Sequence, residues 1–191
     1  MSNALKCFAV CVLCFVAQSA ARSDGPQPAV LQRHEGELRT RRPREGVATP
    51  STEFLLKIGP KTNGSKHLLV FSEELHPGAV IQRHRHLGED EVVLIQTGSA
   101  HVWLGNNEYD AQPGSLVFIP AGTWISLKNT GTENLLLVAI WNEPAFEEQL
   151  LCSSVPQGQA AEPLPRDRVK DCFHHGDAEV EIVEAPAESQ P

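Results

Sequence analysis

The sequence predicts an all-β fold, a sandwich or barrel formed by residues 51–148. Two observations support it: short β-forming runs recur through this stretch, and turn residues such as KTNG and NTG separate them. This spacing is typical of β-sandwiches and barrels, and about 100 residues suffice for one modest core. The runs are TEFLLKI from Thr52, KHLLVF from Lys66, GAVIQRH from Gly78, EVVLIQ from Glu91, AHVWLG from Ala100, GSLVFIP from Gly114 and ENLLLVAIW from Glu133.

Composition and charge limit the classes of function. The chain has 191 residues, of which 41% are hydrophobic and 21% are charged, as in an ordinary globular protein. Its 24 acidic residues outnumber its 16 lysines and arginines, which gives a formal net charge of −8. Because phosphate backbones require a basic surface, we expect no nucleic-acid partner.

The N-terminus has the layout of a secretory signal peptide, which we assign to residues 1–21. Lys6 precedes an apolar run of 11 residues, and small residues then offer a cleavage site near Ala20-Ala21. The run is too short to span a bilayer as an anchor helix. We therefore expect a secreted or periplasmic protein that has no membrane association after cleavage.

Two cysteines, Cys152 and Cys172, remain after cleavage near Ala21. Export compartments are oxidising, so a disulfide between them is expected, although two free thiols in a loose tail are the alternative. Composition predicts that both flanks of the barrel are extended. Residues 22–50, a flexible N-terminal arm, hold six arginines and four acids, and residues 149–191, a C-terminal tail, hold five prolines and eight acids.

The candidate metal-binding residues lie between Gly78 and Gly98. His84 and His86 are two residues apart, so on a strand both imidazoles share one face, together with Gln82. Glu91 opens the following β-run, and it meets both histidines if the two strands lie side by side. Two imidazoles and one carboxylate suit a divalent metal, Fe, Mn, Ni or Zn, and leave coordination positions open.

These residues belong to a longer pattern that resembles the cupin superfamily. The first cupin motif, G-x5-H-x-H-x4-E-x6-G, is matched by Gly78, His84, His86, Glu91 and Gly98, and the second is matched at Gly114, Pro120, Gly122 and Asn129. The resemblance implies a jelly-roll barrel with a ligand site inside, and composition adds the extended N-terminal and C-terminal arms. It also implies pairing into a homodimer.

The second motif departs from the family at one position that matters. Its histidine, which the resemblance implies as a fourth metal ligand, falls on Ile125. Either the metal stays on His84, His86 and Glu91, or metal affinity is lost and the cavity serves another purpose. Retained binding is favoured, because a complete triad is costly to keep unpaired inside a barrel.

The sequence thus predicts a secreted cupin that binds a metal and a small molecule. The leading hypothesis is a metal-dependent oxygenase acting on a small organic molecule, in which the triad residues are ligands and no acid–base residue is assigned. The alternatives are a non-catalytic module that binds a sugar or small metabolite and a purely structural barrel. Gln82, His101 and Ile125 are candidates for lining the pocket, and Glu89 is expected to be a solvent-facing loop acid.

Overall fold

Residues 25–182 are described by the computed structural model, and their strands form two antiparallel sheets around one hydrophobic core. This architecture confirms the predicted all-β jelly roll. The predicted signal peptide, residues 1–21, lies outside the described residues. No helix between residues 25 and 182 has the length and apolar character needed to cross a membrane.

The first sheet has seven strands in the order β11-β1-β2-β3-β10-β5-β8. Every neighbouring pair in it is antiparallel. Its strands are β1 (Glu37–Arg41), β2 (Glu53–Ile58), β3 (Leu69–Leu75), β5 (Glu91–Thr97), β8 (Leu116–Ile119), β10 (Leu135–Trp141) and β11 (Ser154–Pro156).

The second sheet has five strands in the order β12-β4-β9-β6-β7, again with antiparallel neighbours. Its strands are β4 (Val80–His86), β6 (Ala100–Leu104), β7 (Asn107–Ala111), β9 (Ile125–Asn129) and β12 (Ala178–Val180). Strands β4 and β5 follow one another in the chain but belong to different sheets, so the corner between them joins the two layers.

Strand β10 shows how the sequence pattern forms the interior. Its alternate residues Leu135, Leu137, Ala139 and Trp141 are each no more than 1% exposed. Alternate side chains of a strand point to the same face, so these four line the inner face of the first sheet. The Trp141 ring stacks on Phe71 of β3, with the ring centroids 5.4 Å apart.

Two residues of the family pattern serve turns and not the cavity. Gly98 has a φ of +83°, and a Cβ atom at this position would lie 2.8 Å from the Cα atom of Leu135, so no larger residue fits. The Asn129 amide donates to the carbonyl oxygens of Leu75 and Glu133, both at 2.9 Å. These bonds satisfy buried backbone oxygens, which explains why the pattern requires an amide there.

The N-terminal segment differs from the flexible arm predicted over residues 22–50. Strand β1 pairs with β2 on one side and with β11 on the other. Its arginines are buried because distant residues compensate them: Arg41 donates to both carboxylate oxygens of Glu73, and Arg39 donates to Ser154 Oγ. Composition suggested a solvated linker only because these partners lie far away in the sequence.

The C-terminal segment is also more regular than the tail predicted over residues 149–191. Helix α1 (Phe146–Cys152) continues into it, helix α2 (Arg166–His175) follows, and the last described strand, β12, pairs with β4. The predicted Cys152–Cys172 disulfide is confirmed and connects the two helices. The flank therefore packs on the barrel as a cross-linked unit.

The disulfide yields a prediction about stability. Replacing both residues (Cys152→Ala, Cys172→Ala) should lower the free energy of unfolding by about 3 kcal/mol, because the cross-link no longer restricts the unfolded chain. Urea unfolding followed by tryptophan fluorescence measures this change. The native sequence in a reducing agent is the control and should match the double variant. Equal urea midpoints for the oxidised native protein and the variant would contradict the prediction.

Candidate metal centre

The two histidines of the predicted site lie on one side of β4 and point into the barrel. His84 and His86 are 8% and 1% exposed, respectively. The arginines that alternate with them face outwards, where the guanidinium carbons of Arg83 and Arg85 lie 5.4 Å and 4.9 Å from the centroid of the Trp124 ring. The two-residue spacing therefore separates an inner imidazole face from an outer cationic face.

The carboxylate of Glu91 reaches the histidines from the other sheet. Glu91 is the first residue of β5, which belongs to the first sheet, whereas β4 belongs to the second, so the two strands meet at the barrel corner and are not paired side by side. One potential ligand atom from each of His84, His86 and Glu91 lies within 4.8 Å of the other two. The three side chains thus converge on one point in the interior.

Hydrogen bonding determines which nitrogen of His84 is free to bind a metal ion. Its Nδ1 atom lies 2.8 Å from the backbone carbonyl oxygen of Gln82. A carbonyl oxygen only accepts, so Nδ1 carries the proton and Nε2 keeps the lone pair. Burial, helped by the neighbouring His86, lowers the pKa of His84 to about 4, so the ring is neutral at pH 7. A neutral imidazole is the form that binds metal ions.

The contact between His86 and Trp141 shows which nitrogen of His86 is free to bind a metal ion. The indole N–H of Trp141 donates to His86 Nε2 at 3.2 Å, so this nitrogen also carries a lone pair. The same atom lies 3.3 Å from Oε2 of Glu91. A metal ion that binds Nε2 would take over the lone pair used here by the indole.

The unpaired atoms of this site fit a divalent metal ion. Glu91 Oε2 is buried and has no hydrogen-bond partner, and the atom facing it, His86 Nε2, is itself an acceptor. Two acceptors in contact inside a protein repel unless a proton or a cation lies between them. Two neutral imidazoles and one carboxylate form a donor set suited to Fe, Mn, Ni or Zn.

Glu89 is a buried residue that the sequence interpretation placed wrongly in solvent. It is 1% exposed, and its Oε1 atom accepts the backbone N–H of Phe146 at 3.0 Å. Its Oε2 atom lies 3.8 Å from Nδ1 of His86, behind the presumed ligand nitrogen. Burial raises the pKa of Glu89 to about 7. A carboxylate behind a histidine is a common way to orient a metal ligand.

A cavity of about 60 Å³ adjoins the triad. This exceeds the roughly 10–15 Å³ that one water requires, so several waters or a small ligand fit. Ile125 lines this cavity and pairs with His84 in the register between β4 and β9, so a hydrocarbon side chain stands next to the triad.

Gln82 also lines the cavity, as the sequence indicated, but its amide is already engaged. Its Oε1 atom accepts the backbone N–H of Ala48 at 3.4 Å, and its Nε2 atom donates to the carbonyl oxygen of Glu181 at 2.9 Å. Gln82 therefore connects the barrel to both flanking segments.

The register between β4 and β9 shifts between Ile81 and His84, and this irregularity brings Ile81 to the same wall.

The prediction that His101 lines the cavity is wrong. On β6 the buried residues are Ala100 and Val102, so the intervening His101 points outwards. Its Nδ1 atom lies 2.9 Å from Asp110 and its Nε2 atom 3.2 Å from Glu108, both on β7. The hydrogen bond to Asp110 raises the pKa of His101. The two contacts with β7 thus give this histidine a role on the barrel surface.

The N-terminal segment adds two arginines to the cavity wall that no sequence pattern singles out. Arg41 and Arg44 both line the cavity, as does Glu73 of β3. Their positions in an arginine-rich, proline-containing stretch pointed to solvent. The pairing of β1 into the first sheet and the bridge between Arg44 and Leu164 bring them to the cavity.

Comparison with known proteins agrees with this architecture. Residues 71–141 match the family described as Cupin domain. A predicted oxalate decarboxylase from Thermotoga maritima is similar in structure, with a TM-score of 0.53 and 22% identity over 60% of this chain and 99% of the other. A cupin-superfamily sugar phosphate isomerase from Silicibacter pomeroyi gives a TM-score of 0.50 and 19% identity over 61% and 77% of the two chains.

A curated relative adds sequence similarity. Auxin-binding protein 1 of Arabidopsis thaliana is 25% identical over 114 residues, which is 55% of this chain and 57% of that protein. The chain therefore spans little more than half of this relative. The family match covers both motifs and the strands that carry the triad. Residues 71–141 are a cupin domain by this match, and the two solved structures share its fold.

Proposed function

We propose that the protein binds one divalent metal ion through His84, His86 and Glu91 and acts there on a small organic molecule. The observation that carries this proposal is the convergence of three buried ligand atoms within 4.8 Å of one another. When bound, an ion with three protein ligands supplies Lewis acidity and open coordination positions, the requirements of an oxygenase.

The surrounding residues have distinct roles in this proposal. The Gln82 carbonyl oxygen holds His84 with its Nε2 lone pair free, while Glu89 lies behind His86. Ile125 and the inner residues of β10 form apolar walls that limit the access of water. A substrate in this cavity would therefore present an apolar part to these walls.

A non-catalytic binding module is the second candidate, and one observation favours it. Among residues 25–182, the titratable groups lining the cavity are the triad members His84 and Glu91 and the charged residues Arg41, Arg44 and Glu73. None of these is a free general acid or base beside the triad. The name of the relative auxin-binding protein 1 also refers to a bound small molecule. A sugar or small metabolite held without turnover agrees with this set.

We propose export to a secreted or periplasmic location. The N-terminal pattern with its cleavage site near Ala20-Ala21 supports this, and so does the Cys152–Cys172 disulfide. Disulfides persist in oxidising compartments and are rare in the cytosol.

We also propose a homodimer that forms through the outer face of the first sheet. Phe118 and Leu116 of the edge strand β8 are 56% and 68% exposed. In register beside them on β5 lie Val92 and Leu94, followed on β10 by the paired Ile140 and Val138. A continuous apolar ladder on an exposed sheet face is typical of an interaction surface.

Removing one triad ligand tests the metal site. The His84→Ala variant should lose metal affinity by about 100-fold or more, beyond the roughly 10- to 100-fold effect of residues that only orient a ligand. Metal content after dialysis, measured by plasma mass spectrometry, reports the loss. The matched control is His101→Ala, which removes a histidine outside the cavity and should leave the metal content unchanged. Equal metal content in all three proteins would refute the assignment.

Restoring a fourth donor tests the role of Ile125. Because Ile125 lies in register with His84 and lines the cavity, Ile125→His should raise metal affinity by about tenfold or more. Competition with a chelator measures the change. Ile125→Leu keeps a hydrocarbon there and should bind as the native protein does. An unchanged affinity for Ile125→His would show that position 125 does not reach the ion.

The proposed dimer is tested by a charge placed on the apolar ladder. Phe118→Glu should convert a dimer to a monomer in sedimentation velocity, because a carboxylate would be buried unpaired in the interface. The control is Tyr109→Glu, at an exposed aromatic residue of the second sheet, which should remain dimeric. A native protein that sediments as a monomer would contradict the proposal.

A further inference from the structure

Arg44 is a partly buried cation whose role is not explained by the fold or by the metal triad. It lies between β1 and β2, in residues 42–52, and it lines the same cavity as His84 and Glu91. One of its terminal nitrogens donates to the carbonyl oxygen of Ala48. Its Nε atom is buried and has no hydrogen-bond partner.

The nearby carboxylate does not neutralise Arg44, because Arg41 and a hydroxyl already occupy it. Arg41 donates to Oε1 and Oε2 of Glu73 at 3.0 Å and 3.1 Å, and Ser51 Oγ donates to Oε1 as well. Within residues 25–182, no carboxylate oxygen lies within 4.0 Å of the Arg44 guanidinium. This part of the cavity therefore holds two cations and one anion.

The Arg44 guanidinium nevertheless stays charged. Burial, together with the neighbouring Arg41, lowers the pKa of Arg44 to about 9, which is still above neutral pH. An unpaired charge inside a protein is costly, and it persists in structures where it serves a ligand or a partner.

We propose that Arg44 binds the carboxylate of a small organic acid inside the barrel. The planar guanidinium fork matches the geometry of a carboxylate and forms charge-assisted hydrogen bonds with it. The unpaired Nε atom offers one of these bonds. The proposal rests on the proposed function and deepens it, because it names the chemical class of the small molecule.

The rest of the cavity indicates what the acid carries behind its carboxylate. Ile81, Leu127 and Leu137 line the wall, so the body of the ligand is apolar. A volume of about 60 Å³ limits that body to a short chain. A divalent ion at the triad would add positive charge beyond what Glu91 balances, so the metal and the acid should each strengthen binding of the other.

Propionate and its neutral analogue propionamide test the proposal by calorimetry on the purified protein. The two molecules have similar shapes, so a difference in affinity isolates the charge. The native protein should bind propionate and not propionamide. Arg44→Met should weaken propionate binding by about tenfold or more, as expected for the loss of charge-assisted bonds.

The matched control is Arg42→Met, two residues away. Arg42 donates to the carbonyl oxygen of Glu162 outside the cavity, so this variant should bind propionate as the native protein does. Equal affinity of the native protein for propionate and propionamide would overturn the proposal even if Arg44→Met failed to fold. Inorganic phosphate that competes as well as propionate would overturn the carboxylate class.

A thermal melt separates ligand binding from a structural role. Removing an unpaired buried charge should leave the melting temperature of unliganded Arg44→Met unchanged or higher. The stabilisation of the native protein by propionate should be lost in the variant. A lower melting temperature combined with retained stabilisation by propionate would assign Arg44 to the fold and overturn the proposal.

Metal measurements distinguish failure of this inference from failure of the proposed function. The calorimetry is repeated after dialysis against a chelator, and the metal content of Arg44→Met is compared with that of the native protein. If no metal binds and propionate selectivity still depends on Arg44, the metal function fails and the inference stands. If metal binds and Arg44→Met keeps its propionate affinity, the inference fails alone.

Discussion

The contact between His86 and Glu91 is the constraint on which the interior depends. A nitrogen lone pair and a carboxylate oxygen from opposite sheets lie 3.3 Å apart in an apolar enclosure. Nothing in the hydrogen-bond network of the described residues separates them, and the network instead fixes the imidazoles with their lone pairs inwards. The barrel therefore preorganises a site for positive charge. The packing of the two sheets keeps His86 Nε2 and Glu91 Oε2 close together although both are acceptors.

The cupin domain and its flanks contribute different parts of this interior. The family match over residues 71–141 contains the triad and Ile125, and so the whole donor set. The remaining walls include Arg44 from the N-terminal side and Phe146 and Phe173 from the two helices. The family pattern thus specifies where an ion could bind, while the flanks determine the shape and charge that a small molecule meets.

How well each feature could be predicted depends on how far apart in the sequence the interacting residues lie. Strand alternation placed His84 and His86 on one face, which is a local consequence of strand geometry. Glu91 reaches them from the other sheet, and its place in the motif is what identified it. The burial of Arg41 depends on Glu73, 32 residues later, and composition alone does not reveal that pairing. His101 has a residue type suited to a metal site but lies on the outer face of its strand, because Ala100 and Val102 on either side of it point inwards.

The disulfide-linked C-terminal segment connects the barrel interior to the redox state of the surroundings. Strand β12 pairs with β4 so that Ala178 lies opposite His86 and Val180 opposite His84, and the helix leading into β12 is held by Cys172 to Cys152. Reduction of that cross-link would free the helix and loosen the strand that supports both imidazoles. The geometry of the imidazole face would then depend on the thiol–disulfide balance of the compartment.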